Sequence, residues 1–303
     1  MTTERRIGQH LLELSRLDKL LFPGSEISKG DLVDYSQRIA PWMLPHIANR
    51  PLTLHRFPDG IEDSGFYQQS RAEHSPRWLP ECRIEHGGDT GTVHHILCDS
   101  RAGLAWLANQ GTITLHAWLS TTRAVHHPDQ LILDLDPADQ NFQPVRKAAR
   151  YAHTLLQELK LPAFVKTTGS RGLHVVVPLR PDASFDKVRE AARKLAARMA
   201  ERWPEELTVA QRKNQRGKRV YLDVMRNAFG QTAVAPYSVR ALPNAPIATP
   251  LDWDELSGRR LHAQKFNMSN IFRRLGQKDD PWSDLRRHAI GFETLRQALE
   301  SAG

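Results

Sequence analysis

The 303-residue chain is 40% hydrophobic and 25% charged, the balance of a soluble globular protein with one large domain or two small ones. No apolar run approaches the roughly 18 residues of a membrane span, and the opening MTTERRIGQHLLELSR lacks the apolar centre of a secretory signal, so no membrane partner is expected and the cytoplasm is the expected compartment. The formal net charge of +8 favours polyanionic partners, of which nucleic acid is the commonest.

Residues 1 to about 115 read as a mixture of helix and short strands. A helix is predicted from Lys29 to about His46, with Pro41 and Pro45 expected to break or kink it. A second covers 102–111, AGLAWLANQG, with a terminal glycine. The pattern then becomes clearer. LILDLD (131–136) reads as a short strand between turns, and residues 145–159 have helical periodicity. Strands are predicted over 163–168 and 173–179, joined by the turn Gly169-Ser170-Arg171-Gly172. An amphipathic helix follows over 185–203, then a strand over 219–225.

This order is β-α-β-β-α-β, the split pattern of ferredoxin-like and RNA-recognition folds. The expected fold is therefore α+β: an RNA-recognition-like βαββαβ core with an open sheet face over 113–242. An N-terminal mixed α/β part (1–112) packs into the same domain, and a C-terminal helical tail (243–303) completes a single domain over 1–303. Cys82 and Cys98 form no CxxC pair and read as reduced and structural. The fourteen histidines include no HExxH motif.

Strand parity sorts the core's side chains between two faces. Leu131, Leu133 and Leu135 oppose Ile132, Asp134 and Asp136. Leu173, Val175 and Val177 oppose His174 and Val176. Val220, Leu222 and Val224 oppose Tyr221 and Asp223. If the apolar sets cover the helices, the open face carries Asp134, Asp136, Asp223 and His174. The topology puts the first strand between the third and fourth, so these four converge.

Asp is disfavoured in strands, and three neighbouring carboxylates repel one another unless a cation joins them. Hard divalent ions such as Mn²⁺ or Mg²⁺ suit that donor set, with phosphate completing the shell. Two such ions would activate a hydroxyl and neutralise a leaving pyrophosphate. An Asp-Leu-Asp that merely ends a strand is the alternative, and it leaves the third carboxylate unexplained. The turn TTGSRG (167–172) offers hydroxyls, backbone N–H groups and Arg171 to a triphosphate, although the same residues suit a tight hairpin turn. Lys213, Arg216, Lys218 and Arg240 are further candidate phosphate contacts, with plain surface charge as the alternative for each.

The motifs together resemble the polymerase domain of bacterial ATP-dependent DNA ligase D, a member of the archaeo-eukaryotic primase superfamily acting in non-homologous end joining. The resemblance rests on RLDKLLFP (16–23), RPLTLHRFPDG (50–60), FYQQ (66–69), CDSRAGLAWLANQG (98–111), LILDLDP (131–137), TTGSRGLHVVVPL (167–179) and RGKRVYLDVMRNAFGQTAVAPYSVRAL (216–242). It implies template-directed addition of NTPs, often preferred, or dNTPs at breaks and gaps, with two Mn²⁺ or Mg²⁺ ions. Asp134, Asp136 and Asp223 match the metal ligands. Ser170, His174, His116 and Arg240 match nucleotide contacts, joined here by Arg171 and Lys218. Lys19 and Lys29 match a pair that grips the 5′-phosphate across a gap. Phe66 and Tyr67 match aromatics that stack on a template base, a contact of roughly 1–3 kcal/mol per base. Lys213 and Arg216 are the further candidate DNA contacts.

Two positions depart from the family pattern: His55 stands where relatives can carry lysine, and Tyr67 where they carry phenylalanine. No ligase lysine motif or nuclease module is recognisable, so an excised domain or a stand-alone relative is expected. The partners implied are DNA with gaps, overhangs or 5′-phosphate ends, ligase and nuclease modules of the same or another chain, and a Ku homodimer. Association with the nucleoid follows from these. A stand-alone primase and a non-catalytic RNA-binding module are the alternatives. The second would need aromatics where the central strands carry Asp134, Asp136 and His174.

Overall fold

Alternation governs the chain from its first residues. In the computed structural model, which describes residues 2–85 and 91–301, β1 (Thr2–Ile7) and β2 (His10–Ser15) pair antiparallel. Leu12 and Leu14 are buried while Leu11 and Glu13, which alternate with them, are exposed. The short strands β3 (Leu20–Phe22) and β4 (Ile27–Ser28) pair next and lead into α1 (Lys29–Ile47). Ser28 caps that helix: its hydroxyl accepts the Asp31 N–H, and the Asp31 carboxylate accepts the Ser28 N–H.

The expected break at Pro41 and Pro45 does not occur, because α1 runs through both. Each proline removes one ladder bond, while Leu32, Val33, Ile39, Ala40, Met43 and Ile47 bury a continuous face, largely against α2 (Arg101–Asn109). Between the two helices lie β5 (Leu52–Arg56), β6 (Phe66–Gln68), β7 (Glu81–Glu85) and β8 (Thr92–Ile96), the last two paired antiparallel. Gly111 ends the α2 segment at φ +74°, where a Cβ would lie 2.9 Å from Pro58 Cα, so glycine is required. β9 (Thr112–Trp118) follows at once.

The βαββαβ order appears as expected: β10 (Gln130–Asp136), α3 (Phe142–Glu158), β11 (Phe164–Thr167), β12 (Leu173–Pro178), α4 (Phe185–Arg202) and, after the two-residue β13 (Leu207–Thr208), β14 (Val220–Asp223). The sheet order is β13-β14-β10-β12-β11-β16, with β16 at Pro250–Leu251, so β10 lies between β12 and β14. Leu131, Leu133, Leu135, Val175 and Val177 are fully buried, and α3 and α4 pack on β10. β14 stops at Asp223, short of the expected Met225, and turns into a 3-10 helix over Met225–Asn227. β15 (Thr232–Val234) then joins the other sheet, ordered β15-β9-β5-β6.

Contacts divide the chain into two units. The first comprises Met1–Trp118, Thr232–Ala248 and Asn267–Phe272; the second comprises Leu119–Gln231, Thr249–Phe266 and Arg273–Gly303. The sheet holding β9 and β15 thus belongs with the N-terminal residues, not with the 113–242 core. The expected helical tail over 243–303 is helical only in part. It holds β16, α5 (Ile271–Leu275), α6 (Phe292–Glu300) and several 3-10 turns, because Pro243, Pro246, Pro250, Pro281 and the glycines between them interrupt any longer helix. No helix among the described residues is long and apolar enough to cross a membrane.

Candidate active site

One rung of the second unit's sheet carries the chemistry. Asp134 on β10 pairs with Asp223 on β14 and with His174 on β12, and His174 pairs with Lys166 on β11. Directly opposite residues share a face, so four strands present Asp223, Asp134, His174 and Lys166 in line. Asp136, two residues along β10, falls on the same face. One carboxylate oxygen from each of Asp134, Asp136 and Asp223 lies within 4.8 Å of the others. That cluster of anionic oxygens, half open to solvent at Asp136 and Asp223, fits a hard divalent cation.

The two oxygens of Asp134 have different neighbours. Oδ1 lies 3.4 Å from His174 Nε2, and Oδ2 lies 3.4 Å from Arg226 Nε. Burial works against the charge of Asp134, but His174 and Arg226 hold its carboxyl down, at about 2. Asp136 goes the other way: burial, then the charges of Asp134 and Asp223, push it up to about 6, against the pull of Arg171 and Arg226. Burial and the charge of Lys166 push the His174 imidazole down to about 4, against the pull of Asp134, so the ring is neutral at pH 7. Its Nδ1 is buried without a hydrogen-bond partner among the described residues.

Two turns position these groups. In the first, Thr168 Oγ1 accepts the N–H groups of Gly172 (3.1 Å) and Ser170 (3.4 Å), and Thr168 N donates to Gly172 O (3.0 Å). A Cβ at Gly172 would lie 2.3 Å from Leu135 O, so only glycine lets this turn lie against β10 beside the aspartates. Two of the backbone N–H groups expected to face a phosphate are thereby turned onto Thr168. What the turn presents is the half-buried Ser170 and the exposed Arg171. In the second turn, Asp223 Oδ1 accepts the Met225 N–H (2.8 Å). Asn227 Oδ1 accepts Ile132 N–H (2.8 Å), and its Nδ2 donates to Ile132 O (2.7 Å) and Val224 O (2.9 Å). Arg226 is held between these anchors.

The basic loop ahead of β14 is tied to itself. Arg216 donates to Ala210 O (3.0 Å) and Gln211 O (2.7 Å) and lies 3.7 Å over the ring of Tyr221, the residue opposite Asp136. Lys213 and Lys218 are exposed.

In the first unit, Tyr67 on β6 pairs with His55 on β5, and their rings stack at 4.1 Å and 12°. His116 on β9 pairs with Thr53 and Val234, and its ring meets Tyr67 edge-on at 5.9 Å. Phe66 and Tyr67 are 47% and 62% exposed, so neither is a core aromatic. The Arg56 guanidinium lies 5.3 Å over Phe66 and is fixed by Gln110 O and Gln68 Oε1. Arg240 is half-buried, its N–H donating to Pro246 O. After burial, its charge is what pushes the His55 imidazole down.

Lys19 and Lys29 are joined through the backbone, Lys29 N donating to Lys19 O at 2.7 Å. Their ammonium groups differ. Lys19 pairs with the exposed Asp59, whereas Lys29 is buried and donates to Asn109 O (3.1 Å) and Ser15 Oγ (3.4 Å).

Lys166, Arg226 and Asn227 were not singled out from sequence. A signal existed for Lys166: a hairpin centred on Ser170 puts it opposite His174. Arg226 and Asn227 lie beyond the last strand, where periodicity carries no information.

The family model of the LigD primase-polymerase domain matches residues 28–282. The multifunctional non-homologous end joining protein LigD of Mycolicibacterium smegmatis is 31% identical over 259 residues, 84% of this chain and 34% of its own length. The protein of that name from Pseudomonas aeruginosa is 30% identical over 276 residues, 90% of this chain and 32% of its own length. The chain therefore spans about a third of the length of these relatives. The solved polymerase domain of Mycobacterium tuberculosis ligase D in complex with DNA is similar over 92% of this chain and 99% of that one, at a TM-score of 0.85 and 29% identity. With the family match covering most of its length and the acidic rung running across β14, β10 and β12, the chain belongs to the LigD primase-polymerase domain family.

Proposed function

We propose that this chain is a metal-dependent, DNA-directed nucleotidyltransferase that fills gaps and extends ends at DNA double-strand breaks, using NTPs or dNTPs and working as one primase-polymerase domain over 1–303. The observation that carries this reading is the convergence of Asp134, Asp136 and Asp223, with ligand oxygens within 4.8 Å, on a strand rung shared with His174. An RNA-recognition module would present stacking aromatics there, and carboxylates repel phosphates.

Asp134, Asp136 and Asp223 are the ligands assigned to Mn²⁺ or Mg²⁺. Two such ions would lower the pKa of a primer 3′-hydroxyl and offset the charge of departing pyrophosphate. Ser170 and Arg171 stand beside the cluster as donors for the triphosphate. With Nε2 carrying its proton toward Asp134, His174 offers Nδ1 as an acceptor. Contact with a phosphate oxygen needs a second proton on the ring, which the charge of the triphosphate favours. His116 and Arg240 are assigned to the nucleotide by the family pattern, and Lys218 joins them as a candidate phosphate contact. Phe66 and Tyr67 are assigned to a template base, Lys19 and Lys29 to a 5′-phosphate, and Lys213 and Arg216 to the DNA backbone. Ligase and nuclease modules and a Ku homodimer are the proposed partners, and the nucleoid the proposed site of action.

The test is primer extension on a gapped duplex in Mn²⁺, with and without a downstream 5′-phosphate. Extension by the native chain and its loss by at least a hundredfold in Asp134→Ala are expected. No extension in Mn²⁺, or full activity in Asp134→Ala, overturns the reading.

A further inference from the structure

A cation entering the acidic cluster meets an Asp134 whose two oxygens each already face a neighbour. Its Oδ1 faces His174, whose side chain is 3% exposed and fixed within the sheet, while its Oδ2 faces Arg226, whose side chain is 41% exposed on a surface turn. The cost of moving the two is unequal. His174 is packed between Asp134 and Lys166 on the rung, whereas the Arg226 side chain can swing outward with its backbone unchanged. That backbone is held by the Asn227 amide on Ile132 and by the Asp223 carboxylate on Met225 N–H.

We propose that Arg226 is the resident counter-ion of the unloaded aspartate cluster and is displaced from Asp134 when divalent cations bind. The inference rests on the reading of Asp134, Asp136 and Asp223 as metal ligands, and it adds a residue that sets how tightly they hold metal. Three carboxylates this close need positive charge nearby to stay together. The guanidinium supplies it before loading and becomes superfluous, then repelled, afterwards. Arg171 is the other cation whose charge acts on Asp136. It stands on the opposite turn beside Asp136 and makes no ion pair with the three aspartates among the described residues, so it does not compete for the same oxygen.

Titrating MnCl₂ calorimetrically into the full chain tests this. Arg226→Gln should bind Mn²⁺ roughly tenfold more tightly than the native chain, because it removes a charge that competes for Asp134. Arg226→Lys, which keeps the charge, should stay near the native affinity, and Asp134→Ala should lose tight binding. A purely structural role for Arg226 predicts the reverse, a weakened site. Unchanged or weaker Mn²⁺ binding by Arg226→Gln overturns the proposal. Absence of binding by the native chain instead overturns the metal-site reading beneath it. Melting in EDTA gives a second readout. Arg226→Gln should melt lower than the native chain and gain more from added Mn²⁺; an equal gain counts against displacement.

Discussion

Asp136 stands beside two other carboxylates, and its proton is where the metal-free site relieves their repulsion. Its carboxyl is raised from the ordinary 3.8 to about 6. A group with a raised folded-state pKa stabilises the fold below its unfolded value and loses that contribution as pH rises through the folded one. Metal-free protein should therefore lose stability between pH 4 and 6 through this group. Asp134, lowered to about 2, changes only at more acid pH, its contribution being lost as pH falls from 3.8 toward 2. Because a cation requires the carboxylate, Mn²⁺ binding should release a proton below pH 6 and strengthen up to that pH. Melting in EDTA from pH 4 to 7.5 checks the sign against Asp136→Asn, in which this component vanishes. An identical pH slope in the variant would refute the assignment. The triad itself was legible in the sequence, because Leu and Asp alternate over 133–136 and the βαββαβ order sets the strand of Asp223 beside them. Lys29 was not legible in the same way. Its ammonium is fixed by Asn109, eighty positions away in the chain, and no local pattern reports such a contact. The family resemblance implies that Lys19 and Lys29 together grip a 5′-phosphate, and of the two Lys19 is the accessible member.

At the scale of elements, the ladder beside β10 is completed by a side chain. β14 pairs with β10 from Asp223 opposite Asp134 onward. Continued strand would set Met225 opposite Ile132, but the chain turns, and the Asn227 amide meets both the N–H and the C=O of Ile132. A carboxamide mimics a peptide unit here, with one donor and one acceptor in the geometry a strand would supply. The alternating pattern over 219–225 predicted a strand through Met225 and could not show this substitution, since it depends on a residue beyond the pattern. Similarly, the prolines of α1 predicted a break that burial along its apolar face overrides. Asn227→Ala should cost about 2–4 kcal/mol, since it leaves a buried N–H and a buried C=O of Ile132 unpaired. Asn227→Asp, able to accept but not donate, should cost less than alanine in this respect while adding a charge that repels Asp134. Urea unfolding measures the first figure, and a loss under about 1 kcal/mol would mean that water replaces the amide.

For the whole molecule, under the proposed function, the +8 charge would supply a general attraction for DNA, which by itself cannot distinguish a gap with a 5′-phosphate from one without. Discrimination needs a cation that meets the extra dianion, and the accessible candidate is Lys19, now held by exposed Asp59. An exposed pair of this kind contributes little to stability, so the phosphate can take the lysine from Asp59 at small cost. Lys19→Ala should remove most of the preference for 5′-phosphorylated gaps, a loss of roughly tenfold in affinity if one charge-assisted hydrogen bond of about 1.5 kcal/mol is at stake. It should also lower the salt slope of binding by about 1. Asp59→Ala should act in the opposite direction, raising the preference by freeing the ammonium and removing a negative charge from the phosphate's path. Anisotropy titrations of gapped duplexes with and without the phosphate, at several salt concentrations, measure both effects. If the two variants discriminate as the native chain does, the phosphate is read elsewhere, and Lys29 would then have to leave Asn109 to reach it.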